Sequence, residues 1–282
     1  MKKIVFVLLL FVSCFCFGQM KQEIYLIGSI HSFHLDEKYN YSLKDLLTQI
    51  SSINPDIVCG EITPEAYNSV LEGYFPPEAA MLAEIAPKMG YKFLPVDWRC
   101  DFFIQQKASE DYPQNIKDSI SEIEPPIFTY SNSGSASLYN HLHSMIALET
   151  NDLLYDIIEN DSIANISHGF WRERNSEIVK NGLSKSKGAH KVVFVLGADH
   201  ISRVKKELDK YDTKVIILET LVDSEYSVEI SNDVIHRWEK NLDNLKQISN
   251  KQIQINDNYY HKIINSKRIS ELERFISYYK NN

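Results

Sequence analysis

The chain has 282 residues, 44% of them hydrophobic and 24% charged, with a formal net charge of -8. That is the composition of a packed globular protein and excludes a disordered or collagen-like chain. The acidic charge is spread along the sequence and no Lys/Arg cluster is interleaved with aromatics, so nucleic acid is excluded as an expected partner.

Residues 1–18, MKKIVFVLLLFVSCFCFG, set two lysines before an apolar run of signal-peptide length and end on small residues. They predict a secretory leader, an exported protein (periplasmic or extracellular) and a single mature domain over 19–282. A membrane-spanning helix needs about 20 apolar residues. This run is shorter, and polar Gln19, Lys21, Gln22 and Glu23 follow it at once, so no transmembrane anchor is expected. Cleavage after Gly18 fits better than lipid attachment at Cys14, because Phe11 is bulky where a smaller aliphatic residue is usual. Cys59 and Cys100 then remain, either bridged to each other or both buried as thiols.

Glu23 to Ile27 (EIYLI) is a β-rich run closed by Gly28, and YSLKDLLTQISSI from Tyr41 carries apolar residues at helical spacing. Ile57 to Cys59 is the next strand, and Pro64 opens a second helical zone broken by Gly73 and Pro76-Pro77. PPEAAMLAEIAPKMG reads as a helix with Pro77 near its start and Gly90 at its end, and Tyr91 to Val96 as a third strand. From Asp101 to about Lys187 no strand is predicted, whereas SLYNHLHSMIALETNDLLYDIIEN and GFWRERNSEIVKNGL are helical; this predicts a helical insertion over about 101–187. KVVFVLG (Lys191 to Gly197), the helix ISRVKKELDKY and TKVIILE (Thr213 to Glu219) restore the alternation. The pattern predicts an α/β fold, a largely parallel central sheet with flanking helices and a helical insertion. The tail from Val234 is helical, with Ile235, Trp238, Leu242 and Leu245 on one stripe, and Lys251 to Lys262 has the weak periodicity of a loop.

Two distant segments, EIYLIGSIH and VVFVLGADH, share one local grammar: a glycine at the end of an apolar strand and a histidine three residues later. Glycine lets the backbone turn out of the sheet. His31 and His200 then stand beyond strand carboxyl ends, where open α/β sheets bind ligands. DIVCGE ends in Glu61 and KFLPVD in Asp97, so four strands each present an ionisable group at the same edge. Singly, each histidine has an alternative as a hydrogen-bonded residue at a helix start, and Asp97 as a helix cap. Jointly, four such placements favour a pocket.

Two neutral imidazoles and a carboxylate can hold a divalent transition metal that acidifies a bound water. Without metal, a histidine can serve as general base with Glu61 orienting it. His34, three residues after His31, is a further ligand if SFHL makes a helical turn but is more readily a surface histidine, and His141 and His143, two apart on a helix, cannot easily share one ion. Arg172 and Arg174 open a helix and either stabilise a substrate anion or lie on a solvated face; His168 is undecided. No GxSxG, HExxH, phosphate-binding loop or dinucleotide fingerprint occurs.

In order, IYLIGSIHS, DIVCGE, RERN and FVLGADHI resemble the TraB/PrgY/GumN family, which includes the Tiki proteases. The resemblance covers most of the mature chain and departs at Asp199, where small residues are more usual. It implies a fold related to erythromycin esterases and haem-binding ChaN-like proteins and, in Tiki members, metalloprotease activity using the two GxxH histidines. It further implies His31 and His200 as site histidines, Glu61 as their acidic partner and Arg174 as the helix arginine. The leading expectation is an exported metal-dependent hydrolase, a peptidase acting on a peptide or small-molecule substrate. His31, Glu61 and His200 would hold Mn, Co or Zn, with Arg174 or Asp97 in support. A haem- or peptide-binding protein without turnover and a metal-free esterase remain open.

Overall fold

The computed structural model describes residues 21–223, 228–255 and 257–281; the expected leader, Cys14 included, lies outside them. Five strands form one all-parallel sheet: β1 (Glu23–Ser29), β2 (Ile57–Gly60), β3 (Lys92–Pro95), β4 (Lys191–Gly197) and β5 (Lys214–Ile217). Their spatial order is β3-β2-β4-β1-β5. Helix α1 (Leu43–Ile53) links β1 to β2, and α2 (Pro77–Met89) links β2 to β3. Seven helices and no strand fill the crossover from β3 to β4: α3 (Phe102–Glu110), α4 (Gln114–Ser121), α5 (Pro126–Thr129), α6 (Leu138–Leu142), α7 (Met145–Asn160), α8 (Ser162–Ser167) and α9 (Trp171–Lys185). Helix α10 (Ile201–Leu208) links β4 to β5, and α11 (Asn232–Ser249) and α12 (Lys262–Asn281) complete the chain.

The helices begin and end where the local chemistry dictates. Ser42 and Asp45 form a reciprocal capping box at α1, satisfying backbone N–H groups that the first turn leaves free. Gly90 ends α2 at φ 81, a left-handed conformation that costs glycine nothing.

Strand β4 is the centre of the molecule, and its alternating residues enter two cores. Val192, Phe194 and Leu196 pack with Ile178 and Val179 of α9 and Ile201 and Val204 of α10. Val193 and Val195 point the other way, into a larger cluster with Leu46 of α1, Met81 of α2, Trp238 of α11 and Phe275 of α12. Burial on both faces is why this strand is a continuous apolar run. Gly182 lets α9 lie directly on the sheet, since a Cβ there would stand 2.2 Å from Phe194 Cζ.

Two sequence expectations need correction. The zone after Pro64 is a series of turns with one short 3-10 turn at Glu72–Tyr74, because Asn68 takes φ 58 and its N–H bonds the Glu72 carboxylate at 2.9 Å instead of continuing a helix. The helix expected through residues 137–160 divides at His143 and Ser144, where the Ser144 hydroxyl caps α7. Cys59 and Cys100 are both free thiols. No helix among the described residues is long and apolar enough to cross a membrane.

Candidate active site

Because β3, β2, β4 and β1 are consecutive neighbours, the groups past their carboxyl ends stand side by side. Backbone bonds continue the pairing beyond the strands: Val96 N–H donates to Gly60 C=O and Asp97 N–H to Ile62 C=O. These bonds fix where Glu61 and Asp97 leave the sheet.

Glu61 is the hub. One carboxylate oxygen accepts from Arg174 Nη2 at 2.8 Å, and the other accepts from Gly197 N–H at 2.7 Å. His31 Nε2 lies 3.9 Å from one oxygen and His200 Nε2 4.0 Å from the other. Gly197 makes room for this meeting, as a Cβ there would stand 2.8 Å from His31 Nε2 and 3.3 Å from Glu61 Oε2. Gly28 serves in the same manner: its added Cβ would be 3.0 Å from the Ala198 Cα. Neither glycine takes a positive φ, so both are needed for space rather than for the sharp turn that the sequence suggested.

Each histidine is held from behind. His31 Nδ1 faces the Glu78 carboxylate at 2.5 Å, and Ser29 Oγ donates to the same oxygen. His200 Nδ1 lies 2.7 Å from Asn175 Oδ1, and the Asn175 amide is oriented by donating to Trp171 C=O. An acceptor at each Nδ1 places the proton there and leaves the Nε2 lone pair towards Glu61. The His200 ring also stacks on Trp171, with centroids 4.2 Å apart.

The two imidazoles differ electrostatically. Burial draws the His200 pKa down to about 3, and the Arg174 charge adds to the effect, so this ring is neutral. Burial acts in the same direction on His31, but the Glu78 charge and hydrogen bond, with Glu61, outweigh it and raise that pKa above its ordinary value. Glu78 in turn is held down at about 2: its burial is overcome chiefly by the charge and hydrogen bond of His31. His31 sits at φ 50, an uncommon conformation for a residue with a Cβ, of the kind that concentrates at functional sites.

Arg174 binds two acids at once. Its Nε and Nη2 bond the two oxygens of fully buried Asp97 at 2.8 and 3.0 Å, while Nη2 also reaches Glu61. Arg99 closes the ring, with Nε 2.8 Å from Asp97 and Nη2 3.4 Å from Glu61. Burial raises the pKa of Glu61, yet the charges of His31 and Arg174 hold it well below the ordinary carboxylate value.

All five expected residues, His31, Glu61, Asp97, Arg174 and His200, therefore meet in one site. Asp97 caps no helix; Asp101 caps α3. His34 is buried rather than on the surface, with Nδ1 at Tyr41 C=O and Nε2 accepting from Ile30 N–H. His143 accepts from Gly28 N–H and His141 faces Pro126 C=O, so both are structural. Arg172 lies on the exposed face and bonds Glu159 C=O. Glu78, Asn175 and Arg99 were not anticipated. A lone acid in the apolar start of α2 was the available signal for Glu78, and the asparagine after Arg174 that for Asn175.

The three expected ligands do not fit a metal in this arrangement. Among the described residues, no three His, Cys, Asp or Glu side chains close on a common point as ligands do. The histidines face different oxygens of Glu61, and each oxygen already accepts a hydrogen bond. A guanidinium 2.8 Å from the would-be ligand also puts positive charge where a dication would add more. No family model, no curated protein and no solved structure matches the chain.

Proposed function

We propose that this chain is an exported hydrolase of ester or amide bonds, of the TraB/PrgY/GumN and erythromycin-esterase kind, working through side chains alone. The observation that carries the reading is the pair of imidazoles, each fixed at Nδ1 and each turning Nε2 to one buried carboxylate clamped by arginine. Separations of 3.9 and 4.0 Å are too long for direct hydrogen bonds but suit one oxygen placed about 2.8 Å from both neighbours.

In this mechanism His31 is the general base. Its Nε2 takes a proton from water, the water oxygen bonds to the acyl carbon, and the proton passes to the leaving group as the acyl bond breaks. Glu78 holds the tautomer and stabilises the imidazolium, the role of the acid in a catalytic triad. Neutral His200 accepts a hydrogen bond and orients the attacking water or the substrate. Arg99, the more exposed of the two arginines, stabilises charge developing on the acyl oxygen.

The test is hydrolysis of a chromogenic ester series and a peptide library by the mature chain. Activity is expected to survive exhaustive chelation and to fall by roughly 100-fold or more in His31→Ala, the usual contribution of a positioned base. Activity equal to wild type in His31→Ala would overturn the reading. Loss on chelation with recovery on adding one divalent ion would transfer the chemistry to a metal.

A further inference from the structure

A cleft of about 230 Å³ adjoins the site and shares Arg99 and Arg174 with it. Four distant stretches form it: the turn at Tyr74, residues 99–105 running into α3, residues 168–174 around the start of α9, and residues 259–268 around the start of α12. Arg99, Arg174, Lys267 and Arg268 all line it, and no lining residue is Asp or Glu, in a chain whose net charge is -8. Phe102, stacked on His261 with centroids 4.0 Å apart, and Tyr74 give it aromatic walls.

The cations are not all spent. Arg174 is committed to Asp97 and Glu61. Arg268 donates from Nε to Tyr74 C=O and from Nη1 to Glu271, which leaves Nη2 without a partner among the described residues. Burial lowers the Arg99 pKa and the charges of Arg174 and Arg268 lower it further, against the opposing pull of Asp97 and Glu61. An anion between them would relieve that repulsion, and guanidinium groups match planar or tetrahedral oxyanions. The volume is below the roughly 300 Å³ at which whole-ligand pockets begin, so it suits one group of a larger molecule.

We propose that this cleft receives an oxyanion group, a carboxylate or a phosphate, of the molecule processed at the adjoining His31/Glu61 site. That the occupant is a substrate rests on the hydrolase reading; the anion pocket stands on its own lining.

Isothermal titration of the mature chain with inorganic phosphate and, separately, with succinate reads binding without turnover. At least one is expected to bind, and Arg268→Gln to weaken it roughly tenfold or more, the loss of a charge-assisted hydrogen bond. Lys267→Glu should also weaken it, while Lys180→Gln, at an exposed side chain paired with Glu177, should leave it unchanged. Arg268 also bonds within the fold, so circular dichroism accompanies its variant. If Arg268→Gln unfolds, Lys267→Glu, at a side chain 70% exposed, decides. Binding of phosphate alone assigns a phosphorylated occupant, and binding of succinate alone a carboxylate. Binding of neither, or equal weakening by Lys180→Gln, overturns the pocket. A chain that binds anions but hydrolyses nothing keeps the pocket and loses the hydrolase reading; one that hydrolyses esters but binds neither anion does the reverse.

Discussion

Every residue of β4 after Lys191 is buried, whereas α3 and α4, at the start of the helical segment, bury none. Phe103 and Ile146 in that segment are 76% and 74% exposed. The segment is fastened to the sheet at His143, which accepts from Gly28 N–H of β1, and at its far end, where α9 turns Trp171, Arg174, Asn175, Ile178, Val179 and Gly182 inward. The candidate site straddles this seam. The sheet supplies the histidines and Glu61, and the segment supplies Arg174 and Asn175, which pair the acids and hold His200. The sheet edge thus presents the two histidines and Glu61, and two helices set their partners, α2 through Glu78 at His31 and α9 through Asn175 at His200. The outer helices are free of that duty.

The strongest way to break this comparison is at Phe194, packed between β4 and Gly182 of α9. Phe194→Ala removes a fully buried ring and leaves a cavity beneath α9, so urea denaturation should show a loss of about 3–5 kcal/mol. A loss under about 1 kcal/mol would mean that α9 closes onto the sheet without it and that the seam owes little to the packing of β4.

A smaller, pH-dependent effect is expected on the other face, where buried Glu72 pairs with Arg237 and Asn241. Burial raises the Glu72 pKa, but the hydrogen bond and charge of Arg237 outweigh it, so the folded value lies below the ordinary 4.5. A depressed carboxylate stabilises the fold above the unfolded value and loses that contribution as pH falls through the folded one. Wild type should therefore exceed Glu72→Gln in stability at neutral pH, with the gap narrowing below pH 4.5 in a series of denaturation curves. A gap that widens on acidification would reverse the assigned sign.

What the sequence discloses follows from range. The strand ends and their polar residues were legible, because a short apolar run, a glycine and an ionisable group are all local. The parallel alternation was enough to place His31, Glu61, Asp97 and His200 on one edge. Glu78 and Asn175 were not legible as site residues, since their roles depend on how α2 and α9 are rotated against the strands, 47 and 25 residues away from the histidines they hold. The turns after Pro64 were hidden for a related reason: Asn68 takes a left-handed conformation beside Glu72, and Glu72 is itself placed by Arg237 from α11.

The smallest expected effect lies in the segment's outer helices. Phe103 is 76% exposed, and its ring meets that of Phe102 edge-on with centroids 6.3 Å apart. Its backbone N–H donates to the Asp101 cap, and that bond does not depend on the side chain. Phe103→Ser therefore removes little buried area and keeps the cap, so the denaturation midpoint should move by no more than about 0.5 kcal/mol equivalent. Because Phe103 lines neither the Glu61 hub nor the adjoining cleft, hydrolysis should be unchanged as well. A loss above about 1.5 kcal/mol would show that this face is packed after all, since exposed sites rarely reach that size. The contrast between the sheet and the outer segment would then reduce to one of composition rather than of burial.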